Sequence, residues 1–285
     1  MPRNLILNVT LCKGLLKKSQ MKIRVACLSL FLPVAVCAQP WFLGTNQLWP
    51  GKIMEFAAPV SAKAKWEAAR VHQNLRFATG ALAVPPGFDF RKPWPILVIS
   101  VPSGGSSIGA MRQYTNVAFQ SGWVILAGDG PRVDAETDTV QWGWAMLGSV
   151  LDFFSRTWPQ TKPWPVACAG FSGGAKRSAT VAAAMMKENY RVIGIFMGGC
   201  NEDWATVGLK LFQPGERFKH VPIFLSSGTR DPIAGPQQTT PVQQSLRYTG
   251  FERIRLETYD GEHRLDAEQL KLALEWFKRS TGSPK

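Results

Sequence analysis

The sequence contains few residues of the kinds that bind metal ions. Its three histidines lie far apart in 285 residues, and no cysteine–histidine spacing fits a zinc site. Internal repeats, heptad runs and low-complexity tracts are also absent, which excludes repeat architectures and coiled coils. With 45% hydrophobic and 19% charged residues, the composition is that of a globular chain long enough for one large α/β domain. We expect neither a metal centre nor a cofactor.

Acidic residues are missing from the first 38 positions, and this accounts for much of the formal charge of +13. That segment holds six of the 33 lysines and arginines, which leaves 27 basic against 20 acidic residues in the remainder. The remaining basic residues are scattered and form no run or stripe that could follow a phosphate backbone. We therefore predict no nucleic-acid partner.

A basic start followed by a short apolar run predicts a signal peptide over residues 21–38. Lys22 and Arg24 supply the positive charge, and Val25–Val36 forms the apolar run. Small residues occupy the positions that signal peptidase reads, so the mature chain would begin at Gln39. The apolar run is too short to span a bilayer comfortably.

Residues 1–20 lie upstream of that unit and resemble neither a signal nor a folded segment. We interpret them as a non-native extension before the true start at Met21. Lipid attachment at Cys37 is a weaker alternative, because Val36 occupies a position that favours Gly, Ala or Ser. We predict one domain over residues 39–285, exported to the periplasm or the extracellular space, with no stable membrane anchor.

Only two cysteines, Cys168 and Cys200, remain once the leader is removed. Both fall at the ends of apolar runs that we interpret as neighbouring strands. In an exported protein they could form a disulfide, and buried free thiols are the alternative.

Short apolar runs alternate with longer amphipathic segments after Gln39, which predicts a doubly wound, mostly parallel α/β sheet. The predicted strands are 95–101, 123–127, 166–169, 192–197, 221–225 and 254–259. The predicted helices are 108–120, 139–156, 173–189, 242–248 and 266–279. Residues 53–84 should supply antiparallel strands at one edge of the sheet. Asp266 is the expected N-cap of the last helix, with Gln269 three positions on.

The segment Gly170-Phe171-Ser172-Gly173-Gly174 matches the pattern G-x-S-x-G between a predicted strand and a predicted helix. Glycines suit such a turn because the serine has a strained backbone and its neighbours cannot carry bulk. The turn would expose the Ser172 hydroxyl as a nucleophile. A phosphate-binding turn is the alternative, but no Gly-x-Gly or Lys-Ser/Thr spacing supports it.

A nucleophilic serine needs a base, and His263 is the candidate. It follows the last predicted strand, which places it at the same sheet edge as Ser172. His72 precedes most of the strands, and His220 precedes a strand and so falls at the opposite edge. The order of serine, acid and histidine along the chain supports His263.

The acid that orients this histidine should follow a strand between the two residues. Asp231 follows the predicted strand 221–225 and is the candidate. A turn-forming Asp-Pro pair is the alternative reading of this position. Glu202 and Asp203, which come after the preceding strand, are the fallback acids.

Backbone N–H groups would stabilise negative charge on the substrate oxygen. Gly173 lies at the start of the helix after Ser172 and supplies one donor. The second should come from Gly104 or Gly105 in the glycine-rich loop after the strand 95–101.

Together these residues resemble the α/β-hydrolase superfamily over nearly all of residues 50–280. Residues 84–89, followed by 92–96, resemble the P-P-G-[YF]-D…P entry strand of secreted esterases. That group includes polyhydroxybutyrate depolymerase-like and feruloyl esterase-like enzymes. Many members have His-Gly after the third strand, where this chain has Pro102-Ser103.

The resemblance implies an eight-stranded, mostly parallel sheet and a triad carried by Ser172, Asp231 and His263. Residues 198–220 are too short for a large lid domain, so we expect an open cleft. The candidate lining residues are aromatic: Phe171, Trp142, Trp144 and Trp204. Lys176 and Arg177 follow the motif and form either a solvated helix face or a site attractive to an acidic substrate.

The expected activity is hydrolysis of a small-molecule or polymer-linked carboxylic ester through an acyl-enzyme, in which the serine is acylated and then released by water. A peptidase or amidase on the same fold is an alternative. A non-catalytic binding protein is a further one, disfavoured because all three triad residues are present. The sequence does not select the ester.

Overall fold

The computed structural model describes residues 41–71 and 75–280. The predicted extension at 1–20, the predicted signal peptide at 21–38 and the histidine at position 72 lie outside the described residues. None of the helices in the described ranges is both long and apolar enough to cross a membrane.

The described residues contain ten strands, which form a small hairpin and one large sheet. They are β1 (Trp41–Leu43), β2 (Asn46–Leu48), β3 (Ile53–Pro59), β4 (Phe77–Ala83), β5 (Ile96–Ile99), β6 (Val124–Asp129), β7 (Pro165–Phe171), β8 (Arg191–Gly198), β9 (Ile223–Gly228) and β10 (Ile254–Tyr259). The hairpin pairs β1 with β2, and the eight-stranded sheet has the order β10-β9-β8-β7-β5-β6-β4-β3. Within this sheet, β4 runs in the opposite direction to the other seven strands. The predicted fold class is confirmed.

Within the same described ranges, seven α-helices accompany the strands. They are α1 (Lys65–Val71), α2 (Ser107–Gln120), α3 (Val140–Thr157), α4 (Gly173–Lys187), α5 (Trp204–Phe212), α6 (Pro236–Thr249) and α7 (Ala267–Ser280). Side chains of α2 and α7 pack in one core cluster, and those of α3 and α4 pack in the other. The sheet is therefore covered on both faces.

Strand β5 shows why continuous apolar runs form the centre of this sheet. Ile96 and Val98 belong to one core cluster, whereas Leu97 and Ile99 belong to the other. All four are buried, because successive side chains of a strand point to opposite faces. A strand covered on both sides must be apolar at every position.

Phe88, in the segment that resembles the esterase entry strand, has a structural role. Its ring lies 5.6 to 6.3 Å from the rings of Trp41, Trp94, Trp158 and Trp164. This aromatic cluster fixes the chain just before β5. Phe88, one of the residues that carry the resemblance, thus packs in the core rather than in the site.

Three helices differ from the sequence prediction, and the first is α1, which lies within residues 53–84, where only antiparallel strands were predicted. Helix α5 was not predicted, because Val207 and Leu211 expose apolar side chains and hide the usual periodicity. Helix α6 begins at Pro236, six residues earlier than predicted, since Pro241 lies inside it and suggested a break. Between β8 and β9 the chain forms only α5 and a short 3₁₀ turn, with no lid domain in that connection.

The two cysteines in the described residues are free thiols. Cys168 and Cys200 are both buried and unbridged. Burial raises the pKa of Cys200 to about 11 and raises that of Cys168 further. The buried-thiol alternative therefore describes this structure.

Candidate active site

Three side chains from separate loops meet at the carboxyl ends of the parallel strands. The Oγ atom of Ser172 lies 2.9 Å from Nε2 of His263. On the other side of the imidazole ring, Nδ1 lies 2.7 Å from Oδ2 of Asp231. The structure brings together the three residues that the chain order predicted as a triad.

The protonation of this row follows from the surroundings of Asp231. Burial pushes the carboxyl pKa upwards, but the N–H groups of Ala234 and Ile233 and the imidazole of His263 outweigh it, and the pKa lies below its usual value. An ionised carboxylate only accepts hydrogen bonds, so Nδ1 of His263 carries the ring proton. In the neutral form of the ring, Nε2 is then an acceptor that faces the Ser172 hydroxyl.

Each carboxylate oxygen of Asp231 has its own partners. Oδ1 accepts hydrogen bonds from the backbone N–H groups of Ile233 at 2.8 Å and Ala234 at 2.9 Å. That leaves Oδ2 for His263. The side chain is fully buried, and the turn that follows it fixes the orientation of the carboxylate.

Ser172 occupies the sharp turn between β7 and α4. Its φ of 54° and ψ of −122° are rare for a residue with a side chain. A Cβ on Gly170 would lie 2.0 Å from the carbonyl oxygen of Gly174, so only glycine fits at position 170. The close approach of strand and helix forces the serine into this conformation and raises its hydroxyl above the sheet edge.

The loops that carry Asp231 and His263, the predicted acid and base, are joined by backbone hydrogen bonds. The N–H of Thr229 donates to the carbonyl of Tyr259, and the N–H of Arg230 donates to the carbonyl of Gly261, both at 2.9 Å. Arg230 also pairs with Asp260 across the same gap. We call this arrangement the acid–base loop pair.

Phe171 supports the imidazole. Its ring centroid lies 4.7 Å from that of His263, with the two planes tilted by 46°. The structure places this predicted lining residue against the base, where it restricts the rotation of the ring.

The glycine loop, residues 102–106, differs from the prediction in one donor. The N–H of Gly105 donates to the carbonyl of Pro102 at 2.9 Å, within the loop's own turn. A backbone amide has one proton, so of the two predicted loop donors Gly105 is already engaged and Gly104 is left as the candidate. Gly104 takes the left-handed φ of 71° that this turn requires. Neither Gly104 nor Gly173 donates a backbone hydrogen bond to any of the described residues.

His220 and the two fallback acids have other partners. His220 lies before β9 at the opposite end of the strands and pairs with Glu252. Glu202 pairs with Lys176, and Asp203 caps α5 by accepting from the N–H of Thr206. These contacts remove all three from the row formed with Ser172.

The tryptophans predicted to line the cleft occupy two environments. Trp142 and Trp144 border a pocket behind the glycine loop, which Gly104 and Arg177 also border, whereas Ser172 does not. Trp204 lies elsewhere, and its indole Nε1 donates to Glu202 at 2.8 Å. Trp142 is almost fully buried, which makes its main contribution packing.

Neither Lys176 nor Arg177, the two cations after the G-x-S-x-G motif, is freely solvated. Lys176 pairs with Glu202 at 2.5 Å, and Arg177 pairs with Asp138 at 2.5 Å. Sequence reasoning missed the second contact because Asp138 lies 39 positions upstream with no local signal. Within the described ranges, no group of three or more metal-binding side chains is assembled.

No protein-family model and no curated protein matches the chain. Solved structures do. An esterase from Pyrobaculum calidifontis is 12% identical with a TM-score of 0.57, covering 85% of this chain and 88% of that one. Dienelactone hydrolase from Anabaena variabilis is 17% identical with a TM-score of 0.54, covering 80% of this chain and 98% of that one. S-formylglutathione hydrolase from Staphylococcus aureus is 12% identical with a TM-score of 0.54, covering 80% of this chain and 99% of that one. This likeness shows that the chain has the α/β-hydrolase fold.

Proposed function

We propose that the protein is a serine esterase that hydrolyses carboxylic esters through an acyl-enzyme. The observation that carries this proposal is the continuous row from Ser172 through His263 to Asp231, with contacts of 2.9 and 2.7 Å. A hydroxyl, an acceptor nitrogen and an ionised carboxylate in that order are the parts of a nucleophilic triad.

Acylation begins when Oγ of Ser172 attacks the ester carbonyl carbon. Nε2 of His263 takes the hydroxyl proton as the carbon–oxygen bond forms, and the carbonyl π electrons move to the oxygen. The resulting oxyanion accepts hydrogen bonds from the N–H groups of Gly173 and Gly104. Asp231 stabilises the imidazolium without taking its proton.

The tetrahedral intermediate then collapses, and His263 donates its Nε2 proton to the leaving alcohol. Water enters, loses a proton to the same nitrogen and attacks the acyl carbon. The second intermediate releases the carboxylic acid and returns the proton to Ser172. The triad therefore supplies every proton transfer in both halves of the reaction.

The ester class is supported by two separate observations. Relatives of the same fold include proteins named as an esterase and as S-formylglutathione hydrolase. The entry strand resembles that of secreted esterases, which agrees with the predicted export signal at 21–38.

We infer an exported enzyme with an open cleft, since the connection between β8 and β9 carries one nine-residue helix.

Labelling with a fluorophosphonate probe tests the proposal. We expect the wild type to be labelled at Ser172 and to hydrolyse p-nitrophenyl acetate, and Ser172→Ala to lose both properties. The variant should keep only about 10³–10⁴-fold catalysis over water, as other triad enzymes do. Full esterase activity in Ser172→Ala, or an unlabelled wild type, would refute the assignment.

A substrate panel separates the ester reaction from amide hydrolysis. Acetylated, feruloylated and aliphatic esters are compared with p-nitroanilides and short peptides at equal concentration. We expect kcat/KM for the best ester to exceed that for every amide. A peptide substrate with the highest kcat/KM would instead make the protein a peptidase with the same nucleophile.

A further inference from the structure

We infer that Arg177 is a positioning residue that sets the geometry of the oxyanion hole. This inference rests on the proposed esterase function. Arg177 lies on α4, the helix that begins with Gly173, and its side chain reaches the glycine loop that carries Gly104. It thereby links the two backbone segments that supply the proposed oxyanion donors.

Pro102, at the base of the glycine loop, lies close to the start of α4, but the tip of the loop at Ser103 and Gly104 needs an external support. Residues 102–106 are exposed, and a Cβ added to Gly104 would meet no atom within 4 Å. The hydrogen bond from Gly105 to Pro102 shapes the turn but does not fix its position relative to α4. An N–H group on an unsupported loop would be a poor donor, because oxyanion stabilisation depends on donors placed in advance.

Arg177 provides that support through Ser103. Its Nη2 donates to the Ser103 hydroxyl oxygen at 3.0 Å. Ser103 directly precedes Gly104, so the hydrogen bond acts one residue away from the proposed donor. Because Arg177 follows Gly173 on the same helix, this contact defines the separation of the two N–H groups.

Asp138 holds the guanidinium in place. The Asp138 carboxylate lies 2.5 Å from Nη2 of Arg177, and the side chains are 12% and 22% exposed. Partial burial reduces solvent screening of this ion pair. Asp138 directly precedes Thr139, the N-cap of α3. The bridge therefore joins α4, the glycine loop and the start of α3.

The guanidinium is suited to this task because its donors are held in a rigid planar fork. A lysine carries a compact charge on a flexible stem and would keep the two contacts with less precision. A displacement of about 1 Å at a catalytic group can cost on the order of 10²-fold in rate. We therefore expect loss of the bridge to lower kcat by about 10- to 100-fold.

The bordering pocket offers a competing role for Arg177, namely binding a polar group of the substrate. The two roles predict different kinetics. A positioning residue affects the transition state and lowers kcat, whereas uniform substrate binding raises KM with kcat unchanged. The test therefore measures both constants.

The experiment uses the full-length protein with p-nitrophenyl acetate. Arg177→Met, Ser103→Ala, the double variant and Arg177→Lys are compared with wild type. Arg156→Met is the control, because Arg156 makes an exposed ion pair with Asp152 on α3. Affinity for a trifluoromethyl ketone, which forms a tetrahedral adduct with the serine, is measured alongside kcat and KM.

We expect kcat to fall about 10- to 100-fold in Arg177→Met and about fivefold or more in Ser103→Ala, with KM within about threefold of wild type. Ketone affinity should fall in parallel. The double variant should resemble Arg177→Met, since each single change removes the same hydrogen bond between Arg177 and Ser103. Arg177→Lys should be intermediate, and Arg156→Met should equal wild type.

A raised KM with wild-type kcat would overturn the inference, as would fully additive losses in the double variant. If Arg177→Met does not fold, Ser103→Ala decides alone, because it removes one exposed hydroxyl; unchanged kcat there would also overturn it. A wild type that neither reacts with the fluorophosphonate nor cleaves the ester would instead reject the proposed function, which keeps the two failures distinct.

Discussion

The hydroxyl of Tyr259 donates a hydrogen bond of 2.9 Å to the carbonyl oxygen of Glu262, the residue immediately before His263. The carbonyl oxygen of Arg264, immediately after the histidine, lies 2.5 Å from the same hydroxyl. One phenol thus contacts the backbone on both sides of the proposed base.

Tyr259→Phe should loosen this loop. One hydrogen bond contributes about 0.5–1.5 kcal/mol, so we expect kcat to fall about three- to tenfold with little change in KM. Tyr248→Phe is the matched control, because that ring is 95% exposed on α6 and should leave kcat unaltered. Equal kcat values in the two variants would show that the hydroxyl does not position His263.

Asp231→Asn should abolish most activity while preserving the fold. The N–H groups of Ile233 and Ala234 require an acceptor, so the amide oxygen takes the Oδ1 position and the amide NH₂ faces His263. Nδ1 must then accept, and the ring proton moves to Nε2, where it blocks proton removal from Ser172. By analogy with other triads, kcat should fall about 10⁴-fold.

Steady-state kinetics and circular dichroism check this expectation. Asp152→Asn, in an exposed ion pair on α3, serves as the control and should retain wild-type kcat. If Asp231→Asn kept activity within tenfold of wild type and Glu202→Gln or Asp203→Asn lost it, the acid would be one of the fallback residues.

The ionised form of Asp129 should destabilise the folded protein at pH values above the pKa of this group. Burial raises this pKa to about 6, against the lowering effect of hydrogen bonds from Ser107. The folded state therefore binds the proton more tightly than the unfolded state does. Between about pH 4 and pH 6 this group lowers the free energy of unfolding as pH rises, and above pH 6 the loss is complete.

Asp129→Asn removes this titration. The free energy of unfolding of the variant relative to wild type should increase by up to about 2 kcal/mol between pH 4.5 and pH 7.5. Urea denaturation at both pH values measures it, with the exposed Glu136→Gln as control. A difference that does not change with pH would contradict the raised pKa.

Gly170→Ala should prevent the strand–helix turn from closing. The added methyl would overlap the Gly174 carbonyl, so we expect a loss of at least about 3 kcal/mol and little soluble protein. Gly148→Ala is the same chemical change inside α3, where the nearest atom would be 3.6 Å away, and it should be neutral or stabilising. Similar melting temperatures for the two variants would rule out the close approach.

The positions of Ser172, Asp231 and His263 could be predicted because a simple rule determines them. Parallel strands end at one edge of the sheet, so residues that follow strands converge there, and the order along the chain selects among them. The same reasoning placed His220 at the far edge. Asp266 also caps α7 as its pattern predicted, accepting from the N–H of Gln269 at 3.0 Å.

Features that depend on three-dimensional turns could not be predicted. The sequence shows that Gly104 and Gly105 are permissive, but the turn geometry decides which N–H remains available. Arg177 contacts Asp138 and Ser103 only in the folded chain, where three segments pack together. No spacing pattern in the sequence indicates such contacts. Helix α5 lacks the polar face that periodicity arguments need.

The acid–base loop pair distinguishes the two contacts of the candidate site. Asp231 and His263 follow the adjacent strands β9 and β10, and the loops that carry them are tied together by backbone hydrogen bonds. Ser172 follows β7 instead, and its N–H donates to the carbonyl of Gly198 in β8 at 2.8 Å. We therefore expect the separation between Ser172 and His263 to change more than that between His263 and Asp231 when a substrate binds.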